Sequence, residues 1–364
     1  MFEIIFLVFL SGYFIQSVIF VIGTKKKFTK ISEDELPTAS VIVAARNEEI
    51  NIEGCLKSLD NLQYPGGKLE IIIVDDGSTD KTPALIENFI KEKNNFKRIT
   101  ISNDEESKMA GKTKAVARGI ENASGEIILT TDADCEVKPT WAKTIASYYK
   151  NDVGVVNGYT TQTAENIFQG MQAIDFIYLL LVAAGTINLG KPISCIGNNM
   201  SYRKKAYEEA GGYENLPFSV TEDFILLMGI AKLKEYKIIY PLEKDALVTS
   251  RSCDSIKKLV RQKKRWGVGG LGVPLTGFLI MFWGFFTNLC ILLTPFFFST
   301  VWLYLVFFKI VTDYFVLFPV HQKLGIAKNI KYFLAHQLYY LIYVVALPFL
   351  ILPNRNVVWK GRKY

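Results

Sequence analysis

The feature that most constrains this chain is a stretch without a single charged residue, which runs from position 267 to position 308. One membrane-spanning helix needs about 20 apolar residues, so this stretch is too long for one span and suits two. A Thr-Pro step at 294–295 divides it, and we expect spans near 271–293 and 296–318. Half of all residues are hydrophobic and 13% are aromatic, which is typical of a protein with membrane segments.

A third apolar segment follows at 332–352. It is long enough to cross a bilayer, but that would leave the basic tail, 355–364, outside, against the positive-inside rule. Pro348 and Pro353 could instead bend the segment into a re-entrant helix, and the sequence leaves both alternatives open. We therefore predict about three C-terminal transmembrane or re-entrant helices within 267–354.

The other end of the chain is also apolar, from residue 2 to residue 22. Its positive charges, Lys25, Lys26 and Lys27, come after the apolar run, whereas a cleaved signal peptide carries them before it. The pattern predicts an uncleaved anchor over 1–24 and a linker over 25–38. The positive-inside rule then predicts that the residues after the anchor lie in the cytoplasm.

Histidine and cysteine usage argues against several kinds of site. The chain has two histidines, His321 and His336, both in apolar C-terminal sequence, so a histidine-based zinc or iron site is not expected. Its five cysteines are scattered without a CxxC spacing, which indicates free thiols in a reducing compartment.

Between the apolar ends, apolar β-branched runs alternate with amphipathic helical patterns. We predict strands at 39–45, 70–76, 98–103 and 126–134, with helices at 83–92 and 112–123 among those between them. This alternation predicts an α/β fold with a mostly parallel sheet covered on both faces.

Polar residues concentrate where the predicted strands end. They are Arg46, Asn47 and Glu48 after the first strand, Asp75 and Asp76 after the second, and Asp132 and Asp134 after the fourth. One such aspartate alone would be explained as a turn former or a helix cap. Because ligands bind at the carboxyl ends of strands in such sheets, three converging strand ends favour a binding site.

Asp132 and Asp134 are two residues apart at the end of an apolar strand. In an extended segment such residues point the same way, so their carboxylates could face one cation. Without nearby histidines or paired cysteines, the ion implied is a hard one, Mg²⁺ or Mn²⁺. Such ions complete their coordination with water and phosphate oxygens, which predicts a substrate that carries a diphosphate.

The short motifs of the chain occur in a demanding order and spacing. They are AARNEE, VDDGSTD, GKTKAVARGI, TTDADC, GNNMSYRKKAYEEAGGY, TED and QKKRW, which together cover about residues 39–266. The chain thus resembles membrane-bound glycosyltransferases of family 2, which have the GT-A nucleotide-sugar-binding fold.

The resemblance implies roles for the residues at the strand ends. Arg46, Glu48, Asp75 and Asp76 would bind the nucleotide, whose base N–H groups and ribose hydroxyls need acceptors. Lys112 would add a cation near the nucleotide, the alternative being a solvated lysine at a helix start. The resemblance also implies that Asp132 and Asp134 hold the metal and the sugar diphosphate, with Asp134 as the more direct ligand.

The resemblance implies further roles near TED and QKKRW. Asp223 would be the catalytic base and Glu222 would lie near the donor diphosphate and the acceptor, although both could simply be acids in the first turn of a helix that Thr221 caps. Another helix starts at Ser255, and a basic interfacial helix is expected over 255–266. The face it presents to the donor diphosphate would carry Gln262, Arg265 and Trp266. The other reading of this helix is a basic face on anionic lipid, made of Lys257, Lys258, Lys263 and Lys264.

The segment 167–187 has an apolar helical face and a polar face with Gln169, Gln172 and Asp175. It fits a helix in the membrane interface and fits an ordinary core helix equally well. An interfacial helix beside the site would suggest an acceptor embedded in the membrane.

These inferences combine into one expectation. A cytoplasmic GT-A domain over 39–254 of a multi-pass protein, in the plasma or inner membrane, would transfer a sugar from a nucleotide donor, expected to be a UDP-sugar, to a membrane lipid. The transfer would be inverting and metal-dependent, and no nucleic acid is expected as a partner. The alternatives are a processive polysaccharide synthase of the same family, a non-catalytic nucleotide-sugar scaffold, and a phosphoryl transferase acting on a polyprenyl carrier.

Overall fold

The computed structural model describes residues 2–102, 109, 111–359 and 362–363. Position 103, which ends the third predicted strand, and part of the predicted basic tail lie outside the described residues. The strands are β1 Ala39–Ala45, β2 Leu69–Asp75, β3 Phe96–Thr100, β4 Ile127–Asp132, β5 Cys135–Glu136, β6 Val153–Asn157, β7 Thr160–Gln162, β8 Met200–Arg203, β9 Lys237–Ile239, β10 Val248–Ser250, β11 Val358–Trp359 and β12 Arg362–Lys363. The α-helices are α1 Phe2–Thr24, α2 Ile52–Asp60, α3 Thr82–Ile90, α4 Lys112–Glu121, α5 Trp141–Ala146, α6 Ile167–Ile187, α7 Lys204–Glu209, α8 Gly212–Asn215, α9 Glu222–Leu233, α10 Ile256–Gly269, α11 Leu275–Leu292, α12 Thr300–Lys323 and α13 Phe333–Ile351.

A seven-stranded sheet organises the middle of the chain, with strand order β3-β2-β1-β4-β8-β6-β9. β1 pairs in parallel with β2 on one side and with β4 on the other, and β8 is antiparallel to both of its neighbours. The expected mostly parallel sheet is therefore confirmed. Its central strands are almost continuous apolar runs because helices cover both of their faces.

Alternate residues of these strands enter two different cores. Ile42 and Ile72 pack with α4 and α6 on one face of the sheet, whereas Val41 and Ile71 pack with α2 and α5 on the other. This period of two is what a strand dictates when both of its faces are buried. It fixes which side of the sheet each helix covers, and thereby the surroundings of the strand ends.

Among the described residues, five helical segments are long and apolar enough to cross a membrane by length and composition: Phe2–Thr24, Ile167–Ile187, Leu275–Leu292, Thr300–Lys323 and Ala327–Ile351. The helices α11 and α12 begin a few residues later than the predicted spans, whereas α13 begins close to its predicted start and continues past Pro348 to Ile351. α6 packs against α1, α12 and α13 and is mostly buried, which favours a core helix over a helix lying in the membrane interface.

Two glycines bring α1 and α6 into close contact. A Cβ on Gly23 would clash with the carbonyl oxygen of Gly185, and a Cβ on Gly185 would lie 2.6 Å from the Cα of Phe20. Small residues at such crossings let apolar helices pack backbone to backbone. The N-terminal helix α1 is thus fixed on α6. α6 in turn connects the apolar helices α1, α12 and α13 with the strands of the soluble-type fold, β7 and β9.

Candidate active site

The carboxyl ends of β1, β2 and β4 form one edge of the sheet. Their register pairs Ala45 with Asp75 and Ala44 with Asp132, so the three ends lie side by side. A cavity of about 170 Å³ opens at this edge. Nine of the residues predicted for the site line it: Arg46, Glu48, Asp76, Lys112, Asp132, Asp134, Gln262, Arg265 and Trp266.

Two groups of lining residues lie on different parts of the fold. We call Arg46, Glu48, Asp76, Asp132 and Asp134 the sheet wall, because they follow strand ends. We call Phe176, Gln262, Arg265 and Trp266 the helix wall, because they lie on α6 and α10.

Hydrogen bonds between backbone and side-chain groups hold the first corner of the sheet wall. Asn47 adopts a positive φ of 53°, which asparagine tolerates better than most residues. Its N–H donates to Ser78 Oγ at 3.1 Å, and its Oδ1 accepts from the Thr79 N–H at 2.8 Å. The loops after β1 and β2 are therefore joined. Arg46 Nη1 donates to the Asp76 carbonyl oxygen and lies 3.8 Å from the Asp76 carboxylate.

The two aspartates after β2 lie in different surroundings. Asp76 lines the cavity, but Asp75 does not. The Asp75 side chain is buried, its Oδ2 lies 3.0 Å from Arg98, and its Oδ1 accepts from the Ser78 N–H at 3.0 Å. These contacts give Asp75 a supporting position behind the sheet wall, and its predicted contact with the nucleotide has no geometric support here.

The side chains of Asp132 and Asp134 lie close together, but the backbone geometry that brings them together differs from the predicted one. β4 ends at Asp132, and residues 133–134 form a tight turn into β5, so the expected extended geometry is wrong for this pair. The ligand atoms of Asp132, Asp134 and Cys135 nevertheless lie within 4.8 Å of one another. Both carboxylates face the cavity, and paired hard oxygen donors with room for phosphate oxygens fit Mg²⁺ or Mn²⁺.

Lys112 begins α4, and its ammonium lies between two acids. Nζ is 2.6 Å from Asp132 Oδ1 and 3.0 Å from Glu222 Oε1. Burial alone would lower the pKa of Lys112, but the two carboxylates outweigh it, so the pKa lies above its ordinary value. Its side chain is 18% exposed, so the alternative of a solvated lysine at a helix start is wrong.

Asp223 lies beside this pair, at the start of α9, outside the residues that line the cavity. Its Oδ1 accepts from the N–H of Phe224 at 2.9 Å, and Gly197 approaches it so closely that a Cβ there would lie 3.3 Å from Oδ2. Burial and then the Glu222 carboxylate raise the pKa of Asp223 to about 6. A carboxyl group poised there can take up a proton near neutral pH.

The helix wall depends on side-chain contacts. The Trp266 and Phe176 rings stack, with centroids 5.5 Å apart and planes at 15°. Arg265 Nη1 donates to the Val220 carbonyl oxygen at 3.4 Å, which ties α10 to the segment before Asp223. Gln262, Arg265 and Trp266 all line the cavity, as their spacing on one helical face predicted.

Two expected helix starts agree with the structure in position. Thr221 and Ser255 occupy the N-cap positions of α9 and α10, but neither side chain makes a capping hydrogen bond. One expectation for α10 is wrong. Lys263 does not face lipid, because its ammonium is buried against Asp175.

Four polar residues of the lining were missed by the sequence analysis: Gln162, Asn198, Ser250 and Arg251. Asn198 lies within the GNNM motif, which could have indicated it. Gln162 and Ser250 end two short strands that pair in parallel, at a separation along the chain that no local pattern predicts.

Two family models match the chain. One, described as Glycosyl transferase family 2, matches residues 40–211. The other, described as Glycosyl transferase family group 2, matches residues 127–352, which is well over half of the chain. The chain belongs to glycosyltransferase family 2. This confirms the resemblance drawn from the motifs.

Curated relatives of this family 2 glycosyltransferase include enzymes with different products. A beta-monoglucosyldiacylglycerol synthase of Nostoc sp. (strain PCC 7120) is 27% identical over 253 residues, covering 69% of this chain and 52% of the relative. A poly-beta-1,6-N-acetyl-D-glucosamine synthase of Staphylococcus aureus is 29% identical over 280 residues, covering 74% and 65%. The chain thus spans about half to two thirds of the length of these relatives.

The glycosyltransferase also resembles a solved structure over nearly its whole length. The mannosyltransferase PcManGT from Pyrobaculum calidifontis, in complex with GDP-Man and Mn²⁺, aligns with a TM-score of 0.59 at 18% identity. The alignment covers 94% of this chain and 99% of that one. At this identity the likeness shows the fold alone, and it confirms the predicted fold class.

Proposed function

We propose that this family 2 glycosyltransferase transfers a sugar from a UDP-sugar to a hydroxyl group of a membrane lipid, with inversion at the anomeric carbon and with Mg²⁺ or Mn²⁺. The observation that carries the proposal is the single cavity that nine predicted side chains share, with Asp223 beside it.

The corner formed by Arg46, Glu48 and Asp76 suits the nucleoside part of the donor. Carboxylate oxygens can accept hydrogen bonds from the N–H group of uracil and from ribose hydroxyls. Glu48 is held for this by Asn51, whose Nδ2 donates to Glu48 Oε2 at 2.7 Å, and by its own N–H, which donates to Thr82 Oγ1 at 2.8 Å.

Asp132 and Asp134 would hold the divalent cation. When bound, such an ion supplies positive charge that stabilises a departing diphosphate. Lys112 and Arg265 bring further positive charge, because both line the same cavity. Arg265 offers a planar fork of donors that matches phosphate oxygens.

Asp223 would be the base. Its carboxylate takes the proton of the acceptor hydroxyl as that oxygen bonds to the anomeric carbon, while the bond from this carbon to the diphosphate oxygen breaks and its electron pair leaves with UDP. Glu222 would keep Lys112 in place, at 3.0 Å. The pKa of about 6 supports this role, because Asp223 is then mostly ionised at neutral pH while remaining a usable base.

The lipid acceptor is supported by two observations. Phe176, in the lining of the cavity, lies on α6, which continues from the site to the apolar helices α1 and α13. One relative is named as a synthase of a glucosylated diacylglycerol. A processive synthase is the second candidate, because another relative is named as a poly-N-acetylglucosamine synthase.

Membranes that contain the enzyme, incubated with labelled UDP-sugars and Mn²⁺, test the proposal. We expect one added sugar on an extracted lipid together with released UDP, and we expect the Asp223→Asn variant to give neither. A long polymer as the product would favour the processive synthase. Release of UMP would indicate phosphoryl transfer, and an absence of transfer from every UDP-sugar would contradict the proposal.

A further inference from the structure

The helix α10 and the residues just before it pack on the face of α6 that carries Gln172 and Asp175. Gln172, Asp175 and Phe176 are spaced three and four residues apart, so they lie on one face of the helix. Gln172 Nε2 donates to the carbonyl oxygen of Cys253 at 3.1 Å, and its Oε1 accepts from the N–H of Cys253 at 2.9 Å. Asp175 accepts from Lys263, and Phe176 stacks on Trp266.

The ammonium of Lys263 lies at the centre of this contact. The residue is 7% exposed and Asp175 is fully buried. Lys263 Nζ lies 4.5 Å from the ring centroid of Trp266 and 4.9 Å from that of Tyr343 on α13, distances typical of cation–π contacts. Lys257 and Lys258, on the same helix, are exposed.

Stability alone does not explain a pair of this kind. Removing two charges from water is costly, and apolar residues of similar volume often serve a core equally well or better. The pair adds orientation, because the ion pair with Asp175 on α6 and the cation–π contact with Tyr343 on α13 fix the rotation of α10 about its axis. Gln262, Arg265 and Trp266 lie one, two and three positions from Lys263, so any rotation there moves all three in the cavity.

We propose that Lys263 and Asp175 are positioning residues for the transfer reaction. They hold α10 on α6 so that Trp266 and Arg265 meet the donor diphosphate, and Tyr343 links this alignment to the membrane-type helix α13. The inference rests on the proposed function, which supplies the donor.

The experiment separates alignment from folding with a charge-free pair. The Lys263→Met variant leaves Asp175 buried without its lysine partner and is expected to be strongly destabilised. The double variant Asp175→Leu/Lys263→Met removes both charges at similar volume, and we expect its unfolding temperature to stay near that of the wild type. Its kcat/KM for the UDP-sugar should still fall about tenfold to a hundredfold, because small displacements of aligned groups are costly.

The Trp266→Phe substitution, made in both backgrounds, shows whether the pair acts through Trp266. In the wild type it should lower kcat/KM, and in the double variant it should cost almost nothing more. Additive losses would indicate that the pair and Trp266 act independently and would overturn the proposal. So would a double variant with wild-type kcat/KM.

A matched control is the exposed pair of Lys237 and Asp152, whose Nζ and Oδ2 atoms lie 2.5 Å apart on the soluble domain. The Asp152→Leu/Lys237→Met double variant removes the same charges and should keep wild-type kcat/KM. UDP binding, measured by calorimetry on all variants, distinguishes a failure of the proposed function from a failure of the positioning proposal. If the wild type transfers no sugar but binds UDP, the proposed function fails, and weaker UDP binding by the Asp175→Leu/Lys263→Met variant still supports positioning.

Discussion

The two walls of the cavity are built by different physical means. In the sheet wall, ladders of backbone hydrogen bonds set the strand ends side by side, and the loops that follow are joined by hydrogen bonds between backbone and side-chain groups, such as that from the Asn47 N–H to Ser78 Oγ. In the helix wall, α10 is held by side chains: one buried ion pair, one ring stack and one amide bridge. The sheet wall is therefore rigid by construction, whereas the helix wall depends on a few contacts that can be removed singly.

Asp223 lies where the two walls meet. Its neighbour Glu222 pairs with Lys112, which lies 2.6 Å from Asp132 of the sheet wall. From the other side, the positive charge of Arg265 of the helix wall acts on Asp223, opposing the rise in its pKa caused by burial and Glu222. A displacement of either wall should therefore change the electrostatic environment of Asp223, the proposed base. Substitutions in one wall at a time can then separate the contribution of each wall to catalysis.

The largest expected effect is at this meeting point. The Asp223→Asn substitution keeps the size of the side chain and its capacity to accept from the Phe224 N–H, but it removes the base. We expect kcat to fall about 10²- to 10⁴-fold, the usual contribution of general acid–base catalysis, with little change in UDP affinity. Steady-state kinetics and calorimetry measure the two quantities.

The exposed Asp152→Asn variant serves as the control for this substitution and should retain wild-type kcat. An Asp223→Asn variant that transferred sugar at the wild-type rate would place the base elsewhere. A variant with normal folding but lost UDP affinity would instead assign Asp223 to donor binding.

The next largest effect concerns the sheet wall alone. The Asp132→Asn and Asp134→Asn substitutions, and chelation of the wild type, should each lower the transfer rate roughly a hundredfold or more, because a bound cation contributes several kcal/mol of charge stabilisation. Binding of Mn²⁺, followed by electron paramagnetic resonance, should weaken in both variants. Full activity in the presence of a chelator would contradict the metal proposal.

The same difference between the walls decides how much could be predicted from the sequence. The sheet wall follows from local rules: β1 spans the residues that its apolar run predicted, and parallel register then brings Arg46, Asp76 and Asp132 to one edge. Two points departed from the expectation. The turn at residues 133–134 replaced the end of a strand, because a single dipeptide decides whether a strand continues, and Asp75 is buried behind the sheet wall.

The helix wall could be predicted only in part. The spacing of Gln262, Arg265 and Trp266 indicated a shared face, but not which neighbour that face meets. Lys263 looks like any other lysine of a basic helix, and its burial depends on Asp175, far away in the chain. The same long-range packing made α6 a buried helix although its composition fitted the interface equally well.

A smaller effect is expected from pH. Asp223 has a pKa of about 6 in the folded protein against an ordinary value of 3.8, so the folded state holds its proton between about pH 4 and pH 6. The free energy of unfolding should therefore fall as pH rises through this window. Activity moves the opposite way, because the base must be ionised: log kcat/KM should rise with unit slope below about pH 6 and level off above it. The Asp223→Asn variant should lose this step, and a wild-type profile flat from pH 5 to pH 7 would contradict the assignment.

The smallest effect should come from one ring of the helix wall. The Trp266→Leu substitution removes the stack on Phe176 and the ring beside Lys263, while the sheet wall stays intact. A ring stack contributes about 0.5–1.5 kcal/mol beyond its buried area, so we expect the KM for the donor to rise about threefold to tenfold. Affinity for Mn²⁺ should be unchanged, because Asp132 and Asp134 belong to the other wall. A Trp266→Leu variant that bound Mn²⁺ as weakly as the Asp132→Asn variant would show that the sheet wall and the helix wall are not independent.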